Sequence, residues 1–382
     1  EKGGVPSVLF LQVPDAALLA RFAGRRALGV AGDARSRDPV WMAAHLPGIF
    51  AALRGLGAPL LHYKLCSTFD SAPHVGSIGR AAELGLVGPD DWAPMVVAAP
   101  QIGRWQAFGN LFARAPDGVA RLDRHPTMAQ HPVTPMHEAD VRRHLALQTD
   151  LPVGLVDVLA LQAGRADAAL AEARAAGARI VAFDVLDQQT LAEAGRVIWQ
   201  AAEARPLFAL GSQGLEDALI AHWNGGKAPP PALPPVGAAG RIAVVSGSCS
   251  PDTARQIAAA AEAGFAPIRL EAALLGDAGA FAAACAHAGD AALAALGKGQ
   301  SPLVFTAMGP NDPSLAAVAE ARARAGLTSV EATARLSRGL GAILRRLVQE
   351  AGLRRAVVAG GDTSSHATAE LGVVALTVAG SV

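Results

Sequence analysis

The fold is decided by residues 241–262, whose sequence is RIAVVSGSCSPDTARQIAAAAE. The apolar run Arg241–Val245 ends in a turn of small polar residues, Ser246–Thr253, and an Ala-rich helical segment follows. The same order recurs later in the chain, where Ala356–Ala359 ends in the turn Gly360–His366. Short apolar strands that alternate with long helices are typical of parallel sheets covered by helices on both faces.

This pattern of strand, turn and helix extends over the whole chain. Further strands are predicted at Ser7–Val13, Leu60–Cys66, Met95–Ala99, Val153–Val158, Ala178–Phe183, Pro206–Leu210, Pro267–Leu270, Leu303–Thr306 and Val373–Val378. Helical segments are predicted at Asp252–Ala263, Pro313–Ala325 and Ser337–Ala351. We therefore predict an α/β fold of two layered domains with mainly parallel sheets.

The boundary between the two domains is predicted from a change in composition. Residues 224–240, NGGKAPPPALPPVGAAG, are rich in Pro and Gly, which disfavour both helices and central strands. The chain has 382 residues, which is more than the roughly 250–300 residues that one core supports. We predict a first domain over 1–223, a linker over 224–240 and a second domain over 241–382.

Charge and cysteine content exclude several classes of function. Lys plus Arg and Asp plus Glu number 33 each, so the formal net charge is zero and neither a nucleic-acid nor a membrane partner is indicated. The three cysteines, Cys66, Cys249 and Cys285, are far apart and form no disulfide or zinc pattern. With no signal peptide and no apolar stretch near about 20 residues, we expect a cytoplasmic protein without a membrane span.

Two turns of the predicted second domain have the residues of a phosphate site. Glycine lets the backbone approach an anion closely, and the free amides and dipole of a helix start favour negative charge. Hydroxyl groups such as those of Ser248, Ser250 and Thr363 add hydrogen-bond donors. The alternative is that these residues are ordinary helix caps and turn glycines. Two weaker candidates, Gly211–Gly214 and Ala307–Asp312, are more typical of plain turns.

A denser polar cluster lies in the predicted first domain. The segment Lys64–Ser71 ends a strand with four oxygen-bearing side chains, and Arg121–Met136 contains two Arg, two His and three Pro. Proline restricts such a loop, and the arginine fork binds both oxygens of a carboxylate, so Arg104 is a further candidate. Thr134 has an alternative role as a helix cap, because Pro135 follows it.

Three other chemistries are disfavoured. No HxxxH or HExxH spacing occurs, so we predict no metal site among the clustered histidines His125, His131, His137 and His144. No GxSxG motif surrounds Ser67, which argues against nucleophilic catalysis. A dehydrogenase would need a GxGxxG turn after a strand and an acid about 20 residues later, and neither is found.

Four motifs occur in order between Lys64 and His366: KLCSTFDS with Gly76–Gly79, RHPTMAQHPVTPM, SGSCSPDTARQI and GGDTSSH. Together they resemble the four-carbon acid sugar kinase family, which includes 3-oxo-tetronate, threonate and erythronate kinases. The resemblance implies transfer of the ATP γ-phosphate to the terminal hydroxyl of a four-carbon sugar acid, with Mg²⁺ expected to accompany ATP. It also implies that the first domain binds the sugar acid and the second binds ATP.

Carried over position by position, the resemblance implies two sets of contacts. The nucleotide set is Ser248, Ser250, Gly360, Gly361, Asp362 and Thr363. The substrate set is Ser67, Thr68, Asp70, Arg104, His131 and Thr134. The family usually opens with an Asp-Asp-Phe-Thr-Gly segment and continues through further Gly-rich nucleotide contacts, and we expect both to be absent from the sequence as it stands.

Asp362 is the predicted catalytic residue, which accepts the hydroxyl proton or helps to hold Mg²⁺. Its alternative role is that of a helix N-cap. For the whole chain, the alternative function is a non-catalytic sensor that binds a sugar acid or a nucleotide. A homodimer is the default expectation for the oligomeric state.

Overall fold

The computed structural model describes residues 3–131, 133–225 and 237–379, with the side chain of Asp362 excepted. The chain divides into two compact units, Glu1–Leu233 and Pro234–Gly380. Most of the predicted linker, 224–240, lies outside the described residues.

The first unit alternates strands and helices, as the sequence pattern predicts. Its strands are β1 Ser7–Phe10, β2 Ala27–Val30, β3 Leu60–Lys64, β4 Ala93–Val96, β5 Arg104–Ala107, β6 Asn110–Ala115, β7 Gly118–Arg121, β8 Val153–Val156, β9 Ile180–Phe183 and β10 Leu207–Gly211. Its helices are α1 Ala16–Ala20, α2 Pro39–Arg54, α3 Ile78–Gly85, α4 Val141–Leu145, α5 Val158–Gln162, α6 Ala166–Ala175, α7 Gln188–Ala204 and α8 Gln213–Trp223.

A five-stranded parallel sheet in the order β3-β10-β4-β9-β8 forms the centre of this unit. Its middle strands are apolar throughout, because helices cover both faces. In β10, Phe208 and Leu210 enter the core that includes Phe50 of α2. Ala209 points the other way, into the core that includes Leu191 and Ile198 of α7. The period of two along a strand therefore divides its side chains between two cores.

Two smaller groups of strands accompany the central sheet. β1 and β2 pair in parallel, and β5, β6 and β7 form an antiparallel meander. β5 and β6 are joined by Phe108 and Gly109, which have φ values of 51° and 81°. Two successive positive φ values are typical of the tight turns that join antiparallel strands. The sequence analysis did not predict β2 or the meander.

The second unit is also a parallel sheet between helices. Its strands are β11 Ala243–Ser246, β12 Ala266–Arg269, β13 Pro302–Phe305, β14 Ala356–Ala359 and β15 Ala375–Leu376. Its helices are α9 Pro251–Glu262, α10 Ala278–Gly297, α11 Ser314–Arg324, α12 Ser329–Ala351 and α13 Gly361–Glu370. The four-stranded sheet has the order β12-β13-β11-β14, and every pair in it is parallel. The predicted α/β class with mainly parallel sheets is confirmed.

Helix α12 begins eight residues before its predicted start at Ser337. The cause is a capping box, in which the Thr328 hydroxyl accepts the Glu331 amide and the Glu331 carboxylate accepts the Thr328 amide. Ser337 lies inside the helix and is buried.

Helix α10 is an apolar segment that the sequence analysis overlooked. By length and composition it could cross a membrane, and it is the one such helix within the described residues. Its Phe281, Ala288 and Ala292 are buried in a core with Leu344 of α12 and Val304 of β13. Core helices of this kind pass the same length and composition test.

Candidate functional site

The two Gly- and Ser-containing turns of the second unit lie side by side. β11 and β14 are neighbours, with Ser246 opposite Ala359, so both strands end at the same edge of the sheet. The Gly247 amide donates to the Ala359 carbonyl at 3.1 Å, which joins the start of one turn to the other strand. On the other side of β11, the Thr306 amide donates to the Ser246 carbonyl at 3.1 Å. Three strand ends therefore meet at one place.

A cavity of about 410 Å³ opens where these strands end. Five of the six residues predicted to contact a nucleotide line it: Ser248, Ser250, Gly360, Gly361 and Thr363. Leu336 and Leu340 of α12 add an apolar wall, and Thr306 adds a hydroxyl from β13. The cavity thus combines free helix-start amides, hydroxyls and an apolar surface, which are the parts needed for a phosphorylated, aromatic ligand.

The hydroxyls of Ser248 and Ser250 in the first turn both bond to Thr253. Ser250 is the N-cap of α9 and accepts the Thr253 amide at 3.1 Å, as the helix-cap alternative predicted. The Thr253 hydroxyl lies 2.9 Å from the hydroxyls of both Ser248 and Ser250. The deeper hydroxyl of Ser246 is 1% exposed and lacks a hydrogen-bond partner in the described part of the chain. The turn is therefore rigid, with one buried polar group that a ligand or water can satisfy.

Thr363 packs between the glycines of the two turns. A Cβ atom at Gly247 would lie 2.2 Å from the Thr363 hydroxyl oxygen, and one at Gly360 would lie 2.9 Å from it. Gly360 also has a φ of 120°, which side chains other than glycine rarely adopt. Thr363 itself is 4% exposed. The close approach of Thr363 therefore requires glycine at positions 247 and 360. At Gly360 the positive φ requires it as well.

Asp362 does not occupy the N-cap position that was its alternative role. α13 begins at Gly361, and its N-cap is Gly360, which has no side chain to cap the helix. Asp362 is the second residue of the helix. Its side chain lies outside the described part of the structure, so its predicted catalytic role stays a prediction.

The polar loop of the first unit follows β3 and centres on Asp70. The Asp70 side chain is only 3% exposed and forms an ion pair with Arg35. The Thr68 hydroxyl donates to the same carboxylate at 2.6 Å and lies 2.9 Å from the Cys66 sulfur. The predicted residues Thr68 and Asp70 are joined by this hydrogen bond, and Ser67 is a buried residue of the same loop. Arg35 was missed, because it follows β2, which the sequence analysis did not predict.

The backbone of this loop is held in a strained conformation by buried polar groups. Phe69 is fully buried and has a φ of 58°. Ser71 donates to the Phe69 carbonyl at 3.0 Å and accepts Gln148 at 2.9 Å. The His144 Nε2 lies 3.0 Å from the Ser71 hydroxyl, and burial lowers the pKa of His144. A neutral histidine that donates from Nε2 satisfies this network, because the Ser71 proton is already used.

His131 and Thr134 are in direct contact. The Thr134 amide donates to the Nδ1 of His131 at 3.0 Å, and the Thr134 hydroxyl lies 3.0 Å from the same nitrogen. His125 accepts the Thr127 amide in a similar way, and its Nε2 lies 3.1 Å from the Arg114 carbonyl. No helix begins at Thr134, so the alternative role as a helix cap was wrong, and α4 starts only after Asp140. The His131 Nδ1 instead accepts the Thr134 amide within a loop.

Arg104 is the first residue of the meander. In the described structure it makes no hydrogen bond to Asp70 or Arg35. Its Nη1 donates to the Ile102 and Gly103 carbonyls at 3.3 and 3.0 Å. Its Nε is buried and has no partner among the residues that the structure describes. A buried guanidinium nitrogen without an acceptor is unusual and is satisfied readily by a ligand oxygen.

The two weaker turns have structural roles. Ser212 caps α8 and donates to the Val97 carbonyl at 2.7 Å. Asp312 accepts Arg269 at 2.9 Å, the Met308 amide at 2.6 Å and the Ser314 amide at 2.9 Å. The arginine beside it and these amides hold the pKa of the Asp312 carboxyl well below its usual range. Asp312 therefore orders the loop that follows β13.

A second cavity, of about 490 Å³, lies beside the edge strand β8 and α6. None of the predicted site residues lines it. Across the described ranges, no three His, Cys, Asp or Glu side chains are grouped so as to hold a metal ion. The predicted site residues of the second unit lie instead at the ends of β11 and β14, and Ser67, Thr68 and Asp70 lie after β3.

A fold with two parallel-sheet units defines an α/β protein that binds small ligands beyond the carboxyl ends of its strands. Residues 1–219 match a family model described as a sugar-binding N-terminal domain, and residues 243–382 match one described as a nucleotide-binding C-terminal domain. The chain belongs to the four-carbon acid sugar kinase family.

Characterised relatives extend over nearly the whole chain. A 3-oxo-isoapionate kinase of Paraburkholderia graminis is 46% identical over 382 residues, which cover 99% of this chain and 81% of the relative. A 3-oxo-tetronate kinase of Cupriavidus necator is 31% identical over 388 residues, covering 99% of this chain and 83% of the relative. The crystal structure of Haemophilus influenzae protein HI1011 matches with a TM-score of 0.72 at 24% identity, covering 99% and 85% of the two chains. That structure supports the fold.

Proposed function

We propose that this kinase transfers the γ-phosphate of ATP to the terminal hydroxyl of a sugar acid of the four-carbon type. The observation that supports the proposal is the pairing of β11 with β14, which brings the two Gly- and Ser-containing turns to one cavity. The names of the relatives share a 3-oxo sugar acid, so 3-oxo-isoapionate and 3-oxo-tetronate are the first substrates to test. Threonate and erythronate are the next substrates to test, because the family includes kinases that act on them.

The second domain, 241–382, is proposed to bind ATP. Amides of the Gly360–Thr363 turn and of the Ser248–Ser250 turn would contact the phosphates, and Leu336 and Leu340 would pack against the base. When bound with ATP, Mg²⁺ neutralises phosphate charge. The residues present fit a nucleotide, because Ser248, Ser250 and Thr363 bring hydroxyls to the cavity, and Gly247 and Gly360 permit the close packing of Thr363 between the turns.

The first domain, 1–223, is proposed to bind the sugar acid. Ser67, Thr68 and Asp70 would contact substrate hydroxyls from the loop after β3. His131 offers Nε2 as a donor, because its Nδ1 accepts the Thr134 amide. Arg104 offers the unpartnered Nε to a substrate oxygen. These assignments group polar side chains that can fix a small, highly hydroxylated anion.

In the proposed reaction, the substrate hydroxyl oxygen forms a bond to the γ-phosphorus as the bond to the β-phosphate oxygen breaks and ADP leaves. The hydroxyl proton passes to Asp362. Positioning and charge neutralisation supply most of the rate in phosphoryl transfer, so one proton acceptor and two anion-binding turns suffice on the protein side.

The test is a coupled assay of ADP release with each of the four sugar acids. We expect turnover with at least one 3-oxo acid, and identification of the product by ³¹P NMR as a phosphate monoester. Absence of ADP release with all four would contradict the proposal. Binding of a sugar acid without turnover would instead favour the sensor. A cytoplasmic location and a homodimer remain predictions from the sequence.

A further inference from the structure

The five-stranded sheet of the first unit ends in an open edge at β8. Among the described strands, β8 pairs with β9 alone. The Ile180 amide of β9 donates to the Pro152 carbonyl at 3.1 Å, which fixes the phase of the hydrogen bonds along β8. Because this pattern alternates along a strand, Val153 and Leu155 direct their amides and carbonyls away from β9. These backbone groups are therefore free to pair with a further strand.

A cavity of about 490 Å³, called the β8 groove below, runs along this edge. One side of it is a stripe of α6 at helical spacing, formed by Arg165, Ala169, Glu172, Ala173 and Ala176. Monomeric proteins usually protect an exposed strand edge with charged residues, proline or a covering element. The strand β8 has the sequence Val-Gly-Leu-Val and contains neither charge nor proline. An extended segment with a helix beside it therefore fits the β8 groove.

The charges of the α6 stripe are separated along the groove. The helix returns the chain from β8 to the parallel strand β9, so it runs antiparallel to both. Arg165 therefore lies near the carboxyl end of β8, and Glu172 lies seven residues later, about 10 Å along a helix, near its amino end. Both residues are exposed, and neither forms an ion pair with a residue that the structure describes. The groove is thus positive at one end and negative at the other.

We propose that the β8 groove binds the same groove of a second copy of this chain, with the two β8 strands antiparallel about a two-fold axis at Gly154. Val153 of each copy then exchanges hydrogen bonds with Leu155 of the other. Reversal of direction places Arg165 of each copy beside Glu172 of the other, so the surface is complementary to itself, as a two-fold interface requires.

The area that such a dimer needs involves α6 as well as β8. A stable interface buries roughly 1,200 Å² or more, and a strand of four residues is too short to supply this by itself. The alanines of the α6 stripe allow the two helices to approach closely, and Gly154 adds no side chain where the two strands cross the axis.

The experiment measures the dimer dissociation constant of the full chain by sedimentation velocity at about 1–100 µM protein. We expect the wild-type protein to dimerise. Arg165→Glu and Glu172→Arg each place like charges at both symmetric contacts, so each should raise the dissociation constant about tenfold or more. Arg324→Glu in α11 and Glu203→Arg in α7 make the same charge changes at exposed positions outside the groove and should have little effect.

A mixing experiment separates repulsion at the interface from loss of folding. An Arg165→Glu chain meets opposite charges at both contacts on a Glu172→Arg chain, so the equimolar mixture should form a heterodimer although each variant alone is mostly monomeric. A wild-type protein that stays monomeric at about 100 µM would overturn the proposal. So would a dissociation constant that neither substitution changes, or a mixture in which dimerisation is not restored.

Discussion

The turns at the ends of β11 and β14 and the loop after β3 are built on different principles. The two turns consist of glycines, helix starts and small hydroxyls, and their close packing depends on the absence of side chains at Gly247 and Gly360. The loop after β3 depends on side chains, since Ser71 donates to the carbonyl of the strained Phe69 and contacts His144, and Asp70 pairs with Arg35.

The ligands proposed for the two regions give this difference a chemical reason. Phosphates are alike on every nucleotide, so backbone amides at a helix start recognise them without any particular side chain. A sugar acid is distinguished by the positions of its hydroxyls and its carboxylate, which requires directed side-chain donors and acceptors. The proposed nucleotide site at the ends of β11 and β14 should therefore tolerate the loss of single side-chain hydroxyls. The proposed sugar-acid site after β3 should not.

The largest expected effect concerns Asp362, the predicted catalytic residue. Asp362→Asn keeps the size of the side chain and removes its basicity, so we expect kcat to fall by about 10²–10⁴-fold. The melting temperature should stay near that of the wild-type protein. Turnover within a few-fold of normal would contradict the catalytic role.

A methyl group at Gly360 should have the next largest effect. Gly360→Ala forces a φ of 120° on a residue with a Cβ, at a cost of about 1–3 kcal/mol, and brings that Cβ within 2.9 Å of Thr363. We expect lower stability and a KM for ATP raised by about tenfold or more. Gly297→Ala, at the end of α10 and outside the lining of this cavity, is the control, because nothing lies within 4 Å of a Cβ there. Equal effects of the two substitutions would refute a site built by close packing.

The smallest expected effect is a pH dependence of the free energy of unfolding. It originates in His144, which contacts Ser71 in the loop after β3. Burial lowers the folded-state pKa of His144 below its ordinary value of 6.5, so the unfolded chain takes up the proton first as pH falls. The free energy of unfolding should therefore be largest above pH 6.5 and should decrease below it. Urea titrations at several pH values measure this change in the free energy of unfolding.

His144→Gln should remove much of that pH dependence and cost about 1 kcal/mol at neutral pH for lost hydrogen bonding. His74→Gln, at an exposed position, is the control. An identical pH profile in His144→Gln and the wild-type protein would show that another group controls the acid response.

Sequence patterns predicted the larger elements well because buried parallel strands and Ala-rich helices have strong periodic signals. The strands Leu60–Lys64, Ile180–Phe183 and Ala356–Ala359 all fall within predicted ranges. The meander from Arg104 to Arg121 was missed, because its strands mix polar and apolar residues, and its turn uses Phe108 where Asn or Gly is usual.

The site was predictable only where local sequence determines it. The two turns of the second domain show in the sequence as Gly and Ser after an apolar strand, but their adjacency depends on strand order, which sequence spacing does not reveal. Arg35 was invisible for the same reason, since its ion pair with Asp70 joins loops that follow different strands. The contact between His131 and Thr134 was disguised by Pro135, which suggested a helix start.

The pairing of Ser246 with Ala359 also bears on how the protein is made. The two residues are separated by more than a hundred positions, and α10, α11 and α12 are synthesised between them. A chain still emerging from the ribosome holds the serine turn long before β14 and Thr363 exist to complete the cavity. Nucleotide therefore cannot stabilise the early folding of the second domain, and ligand rescue of a destabilised variant should act only after synthesis has passed Thr363.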